Sequence, residues 1–230
     1  MISIQENLAG IRQRIVEAAS RAGRDPDAVT LVAVSKKKPV TLIQEAVACG
    51  QLVFGENYLQ ESQEKIPALP SDIHWHFIGH IQSNKAKIVA ELFDVVETVD
   101  RIKVARALEK HLAAIDKKMS VLIQVNIGRE HQKSGVLPED TAKLLEEIAG
   151  YEHLKVKGLM AMPPFFDDPE DVRPYFAEMR KLSEELQGKG VLGSGGAVEL
   201  SMGMSGDFEV AIEEGATLIR VGTALFGERL

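Results

Sequence analysis

Apolar positions near the start of the chain fall at Ile4, Leu8, Ile11, Ile15 and Ala18, in alternating steps of four and three residues with polar residues between them. That spacing predicts an α-helix with one apolar stripe, ended by Gly23. The pattern then changes. Thr30-Leu-Val-Ala-Val-Ser35 is a short run rich in β-branched residues, which predicts a strand buried on both faces. A helical stretch from Pro39 to Cys49 follows and is closed by Gly50.

The same alternation continues along the chain. Strand-like runs recur at 52–54, 74–78, 95–99, 121–125, 156–160, 198–201 and 217–221, separated by helical stretches at 57–65, 83–92, 101–115, 139–149, 170–187 and 206–214. With the first run this makes eight strands, each followed by helical or short irregular sequence. Such alternation implies parallel pairing through right-handed crossovers, and a count of eight favours closure. The expected fold is α/β: a single (β/α)8 TIM-type barrel over residues 1–230 with an additional N-terminal helix. A doubly wound open sheet is the alternative. Nine residues follow Val221, fewer than a full outer helix needs, so the N-terminal helix is expected to fill that gap. Two connections are long and follow strands, at 128–138 and in Met162-Pro-Pro-Phe-Phe-Asp-Asp-Pro169. Loops after strands form the working face of a barrel, so both are candidate lids.

Composition narrows the class. The chain is 45% hydrophobic and 27% charged, as in ordinary soluble proteins, and no apolar run approaches the roughly eighteen residues of a membrane span. Glu6 and Arg12 interrupt the N-terminus before any continuous apolar core, unlike a secretory signal, so the cytoplasm is the expected location and no membrane partner is expected. A net charge of −7 argues against nucleic acid. The single cysteine, Cys49, excludes an internal disulfide, and no His/Cys spacing suggests a metal; it is expected to be a buried thiol.

In a barrel, the C-terminal strand ends bring together Lys36, Asn57, the stretch 80–85, Asn126, Met160, Ser201 and Arg220. Burial disfavours an ammonium, so a lysine at a dry mouth loses its proton and its amine can condense with a carbonyl. Lys36 directly follows the strand, whereas Lys37 and Lys38 are expected to face solvent; an exposed loop of three lysines is the plainer reading. Arg220-Val-Gly-Thr223 offers backbone N–H groups and a hydroxyl to a phosphate after the eighth strand, and Ser201, ahead of Gly203, Ser205 and Gly206, offers the same after the seventh. Taken singly, these glycines are turn formers. Together with Lys36 they describe a phosphorylated carbonyl compound held at both ends.

Other positions have plainer readings. His74 and His76 are expected to be packing residues with satisfied ring nitrogens, and Met160, Met162, Met202 and Met204 flexible packing at the mouth. Gln82, Asn84 and Lys85 fit a helix start or a site role. Lys133 and Ser134 fit a solvated loop or contact with an incoming ligand.

Ala33-Val-Ser-Lys36-Lys-Lys-Pro39, Phe54-Gly-Glu-Asn-Tyr58, Trp75-His-Phe-Ile-Gly79 with Gln82-Ser-Asn-Lys85, Lys133-Ser-Gly135, Gly158-Leu-Met-Ala161, Leu200-Ser-Met-Gly-Met-Ser205 and Arg220-Val-Gly-Thr223 together resemble the pyridoxal phosphate homeostasis protein family. The match spans nearly the whole chain. It implies a single-domain barrel similar to the N-terminal domain of bacterial alanine racemase, with pyridoxal 5′-phosphate on Lys36. It further implies that Ser201, Gly222 and Thr223 hold the phosphate, that Arg220 faces the pyridine nitrogen, and that the protein acts in vitamin B6 and amino-acid homeostasis without an established catalytic activity. Asn57 then either bonds the cofactor's phenolic oxygen or caps the following helix. Amino acids and recipient apoenzymes are the implied partners, and a monomer is expected. Lys37 and His80 depart from a frequent form of the family motif, away from the lysine and phosphate positions. Two other functions stay open: a pyridoxal-phosphate-dependent amino-acid racemase, and a cofactor-free Schiff-base aldolase-type barrel. Alanine racemases set a second-domain tyrosine opposite the lysine; of Tyr58, Tyr151 and Tyr175 here, only Tyr175 sits where a lid residue would.

Overall fold

The computed structural model describes residues 3–193 and 196–228. Each predicted strand forms: β1 (Thr30–Val34), β2 (Val53–Glu56), β3 (His74–Phe77), β4 (Val95–Val99), β5 (Met119–Val125), β6 (Leu154–Ala161), β7 (Glu199–Ser201) and β8 (Leu218–Val221). They pair in sequence order as a closed parallel barrel, and β8 returns to β1 with Val32 opposite Arg220 and Ala33 opposite Val221. Around it lie α1 (Ile4–Arg21), α2 (Val40–Ala48), α3 (Leu59–Lys65), α4 (Ala86–Leu92), α5 (Ile102–Ala114), α6 (Thr141–Ile148), α7 (Arg173–Gly188), α8 (Phe208–Glu213) and α9 (Thr223–Phe226).

Strand alternation sorts the apolar residues into two cores. Outward-facing Leu31, Ala33, Phe54, Trp75, Phe77, Val121, Ile123, Ile219 and Val221 join the buried helix faces in one cluster. Inward-facing Val32, Leu122, Met160 and Leu218 form a second, smaller one inside the barrel. Successive strand residues point to opposite faces, so this division follows from the sequence once the strands are placed.

The N-terminal helix fills the gap left by the short α9. Ser3 and Glu6 form a capping box at its start. Its Asn7 Nδ2 donates to Leu225 O at 2.9 Å, and the Arg14 guanidinium lies 4.4 Å from the Phe208 ring centre while pairing with Glu209.

Several expectations need correction. Short 3₁₀ turns at Ser83–Lys85, Pro138–Asp140 and Pro169–Val172 precede α4, α6 and α7, which therefore begin later than the periodicity predicts. Cys49 is only half-buried, at the C-cap of α2. His74 is exposed, so it is not a packing residue. Lys38 does not face open solvent: its Nζ donates to the carbonyls of Phe226, Gly227 and Glu228, which a cation favours just past a helix C-terminus. No helix among the described residues is long and apolar enough to cross a membrane, and those residues contain no cluster of metal-ligating side chains.

Candidate functional site at the barrel mouth

The inward alternation continues past the strand ends. After Val32 in the inner core, Val34 and Lys36 line a cavity at the mouth; after Leu218, so do Arg220 and Gly222. Asn57 enters it from just beyond β2, two residues after the inward-facing Gly55. The cavity measures about 360 Å³, and its apolar wall is built by Val34, Ile78, Met162, Phe165, Phe166 and Met204. Such a space with a few convergent polar groups is the usual form of a small-molecule site.

Buried charges anchor the segment that carries Lys36. Ser35 Oγ donates to Glu56 Oε1 at 2.8 Å, and Lys65 Nζ donates to Ser35 O, Glu56 Oε1 and Glu61 Oε2, each at 2.9 Å. The Lys37 N–H donates to Glu61 Oε2 at 2.8 Å, so both neighbours of Lys36 are pinned. Burial pushes the Glu56 carboxyl above the usual range despite the opposing charge and hydrogen bond of Lys65. Lys37 itself adopts a positive φ of 58° and lies near the Tyr58 ring, turned from the cavity that Lys36 lines.

Just past β8, Ser205 Oγ accepts the N–H groups of Gly222 and Ala224, each at 3.3 Å. A Cβ on Gly222 would stand 3.3 Å from Val34 O, where β8 closes against β1, so a side chain would press on the barrel seam. Thr223 lines the same end and is exposed.

Arg220 is 4% exposed and held from below: NH1 donates to Ser201 Oγ at 2.5 Å and NH2 to Ala161 O at 2.8 Å. Burial lowers its pKa, with Glu97 and Asp207 opposing the shift.

The structure therefore gathers Lys36, Asn57, Arg220, Gly222 and Thr223 around one cavity. It does not bring Ser201 there. As an inward-facing residue of β7, Ser201 is fully buried, and its hydroxyl accepts from Arg220 and donates to Glu97. Ser205 takes the position expected of it. Sequence reasoning missed Asp207 as a cavity residue, whereas Phe165 and Phe166 lie in the stretch it marks as a candidate lid. The step of two from Lys36 back through the strand was a usable signal; for Ser205, beyond a turn at Gly203 with φ 90°, no such period applies.

Both long connections lie at this face. Lys133 pairs with Glu130 and donates to Pro163 O at 3.0 Å, tying 128–138 to 162–169, while Ser134 Oγ meets His80 Nδ1 at 3.1 Å. Phe166 stacks on Tyr175 at 5.8 Å. Gln82 and Lys85 line a separate groove with His80, and Asn57 lines both that groove and the cavity.

A barrel with a lysine at the end of β1 and a polar cradle after β8 defines a class, and the family model described as "Alanine racemase, N-terminal domain" matches residues 7–230. Similar proteins include the pyridoxal phosphate homeostasis proteins of Pseudomonas aeruginosa, 46% identical and spanning 100% of this chain and 97% of the relative, and of Aquifex aeolicus, 44% identical over 97% of each. The structure of PipY from Synechococcus elongatus with PLP bound is 35% identical, with a TM-score of 0.84, covering 98% of this chain and 100% of that one. The chain belongs to the pyridoxal phosphate homeostasis protein family.

Proposed function

We propose that this chain holds pyridoxal 5′-phosphate as a Schiff base on Lys36 and acts, as a cytoplasmic monomer, in vitamin B6 and amino-acid homeostasis. One observation carries the reading: a single cavity is lined both by a lysine just past β1 and by Ser205, Gly222 and Thr223 around the end of β8. The residues fit the group. Asn57 Oδ1 is buried without a hydrogen-bond partner, so its amide has bonding capacity left for a ligand. The N–H groups that Ser205 now occupies are suited to phosphate oxygens.

Bound there, the cofactor supplies an aldehyde and an electron sink. Lys36 provides the amine. Arg220, a fixed cation at the cavity floor, opposes protonation of a ring nitrogen placed against it, which weakens the sink and favours holding over turnover. The PLP-bound PipY structure and the names of the relatives support the cofactor.

Visible absorption of purified protein after addition of pyridoxal phosphate tests this. A yellow band in the wild type and none in Lys36→Ala, with the fold retained by circular dichroism, is the expected result. A colourless wild type favours the cofactor-free barrel; chiral chromatography showing alanine or serine turnover near the enzyme median of about 10 per second favours the racemase.

A further inference from the structure

Deep in the barrel below Arg220 lies a carboxylate that cofactor holding does not itself require. Glu97, inward-facing on β4, is fully buried. Its Oε2 accepts the Ser201 hydroxyl at 2.5 Å, and that hydroxyl accepts Arg220 NH1 at 2.5 Å; the direct separation from Arg220 NH1 to Glu97 Oε2 is 3.9 Å. Its Oε1 lies 2.6 Å from His76 Nδ1, and since an ionised carboxylate only accepts, the proton of that bond sits on the ring nitrogen. We propose that Glu97 is a positioning residue for Arg220, fixing the guanidinium at the cavity floor through Ser201 and balancing its charge.

Chemistry favours this over a chance contact. A guanidinium placed in a dry barrel without a counter-charge is strongly disfavoured, and a fully buried carboxylate without donors is equally so. Here each satisfies the other through one hydroxyl. Burial works against ionisation of Glu97, but the hydrogen bond and charge of His76, the charge of Arg220 and the Ser201 hydroxyl outweigh it and hold the carboxyl below the usual range. The Ala161 carbonyl fixes the second arm of Arg220, so the fork has a defined plane rather than a range of rotamers.

Other charged groups bear on the pair. Asp207 acts on Arg220 from the cavity side, while Glu199 of β7 acts near His76 and Glu97 and is itself opposed by Lys157 of β6. Among the described residues, Glu97 is the carboxylate joined to Arg220 through a hydrogen-bonded hydroxyl.

Two readouts test the proposal, one without the cofactor. In the apo-protein, NMR should show the Arg220 side-chain Nε–H in slow exchange in the wild type and in Glu97→Asp, and broadened by exchange in Glu97→Gln and Ser201→Ala. An equally sharp resonance in Glu97→Gln overturns the proposal. Should Glu97→Gln not fold, Ser201→Ala decides the same question, because it cuts the link while leaving both charges. The second readout rests on the proposed Schiff base. Removing a negative charge beneath Arg220 leaves the cation unbalanced and disfavours a protonated nitrogen on Lys36, so the pH midpoint of the visible band should fall by roughly one unit in Glu97→Gln and be largely restored in Glu97→Asp. An unchanged midpoint in Glu97→Gln also overturns it. A wild type with no visible band defeats the Lys36 reading instead, and the NMR comparison then decides on Glu97 alone.

Discussion

Single residues at the mouth act according to the direction their backbone gives them. Lys36 follows Val32 and Val34 at steps of two, so its amine reaches the cavity, whereas Lys37 next to it does not. The same rule explains why Ser201 is misread from sequence: a serine near phosphate-type glycines reads as a ligand, but on β7 it faces inward, and Arg220 and Glu97 claim its hydroxyl. Thr223 is the residue-scale test of the phosphate end. Thr223→Val removes a hydroxyl while nearly preserving shape, and should weaken cofactor retention by about 1–2 kcal/mol, the low end for one hydrogen bond to a charged group because Thr223 is exposed. Titration of the visible band gives the dissociation constant, and an unchanged value takes Thr223 out of the site.

Among the elements, the connections after β5 and β6 have a different character from the rest. Phe165 is 82% exposed although it lines the cavity, and Lys133 ties its loop to the neighbouring one. A large apolar side chain left in water at a cavity rim gains most when a ligand or a closing loop covers it. Phe165→Ser should therefore speed cofactor release severalfold in a chase experiment without moving the denaturation midpoint; equal release rates would show that the loop is no lid. The sequence made both connections recognisable by length and proline content. It did not reveal their coupling, because Lys133 and Pro163 meet only once two adjacent strands bring their loops side by side.

For the whole molecule, the barrel was legible because eight apolar runs recur between helical stretches and most strand residues are buried. Helix starts were less so, since 3₁₀ turns share the residue types of helix N-termini. The interior network was hidden: Glu97 and Ser201 lie 104 residues apart, on non-adjacent strands of the closed barrel, and no local pattern marks them as partners. Closure also brings the end of β1 beside the end of β8, so that an amine and a phosphate cradle face one space. That juxtaposition is the core of the functional account, and borohydride trapping of the pyridoxal-phosphate-treated protein, followed by peptide mass mapping, tests it most directly. One reduced pyridoxyl label is expected, on Lys36; label chiefly on Lys37, Lys38 or Lys85, or none at all, would overturn the assignment.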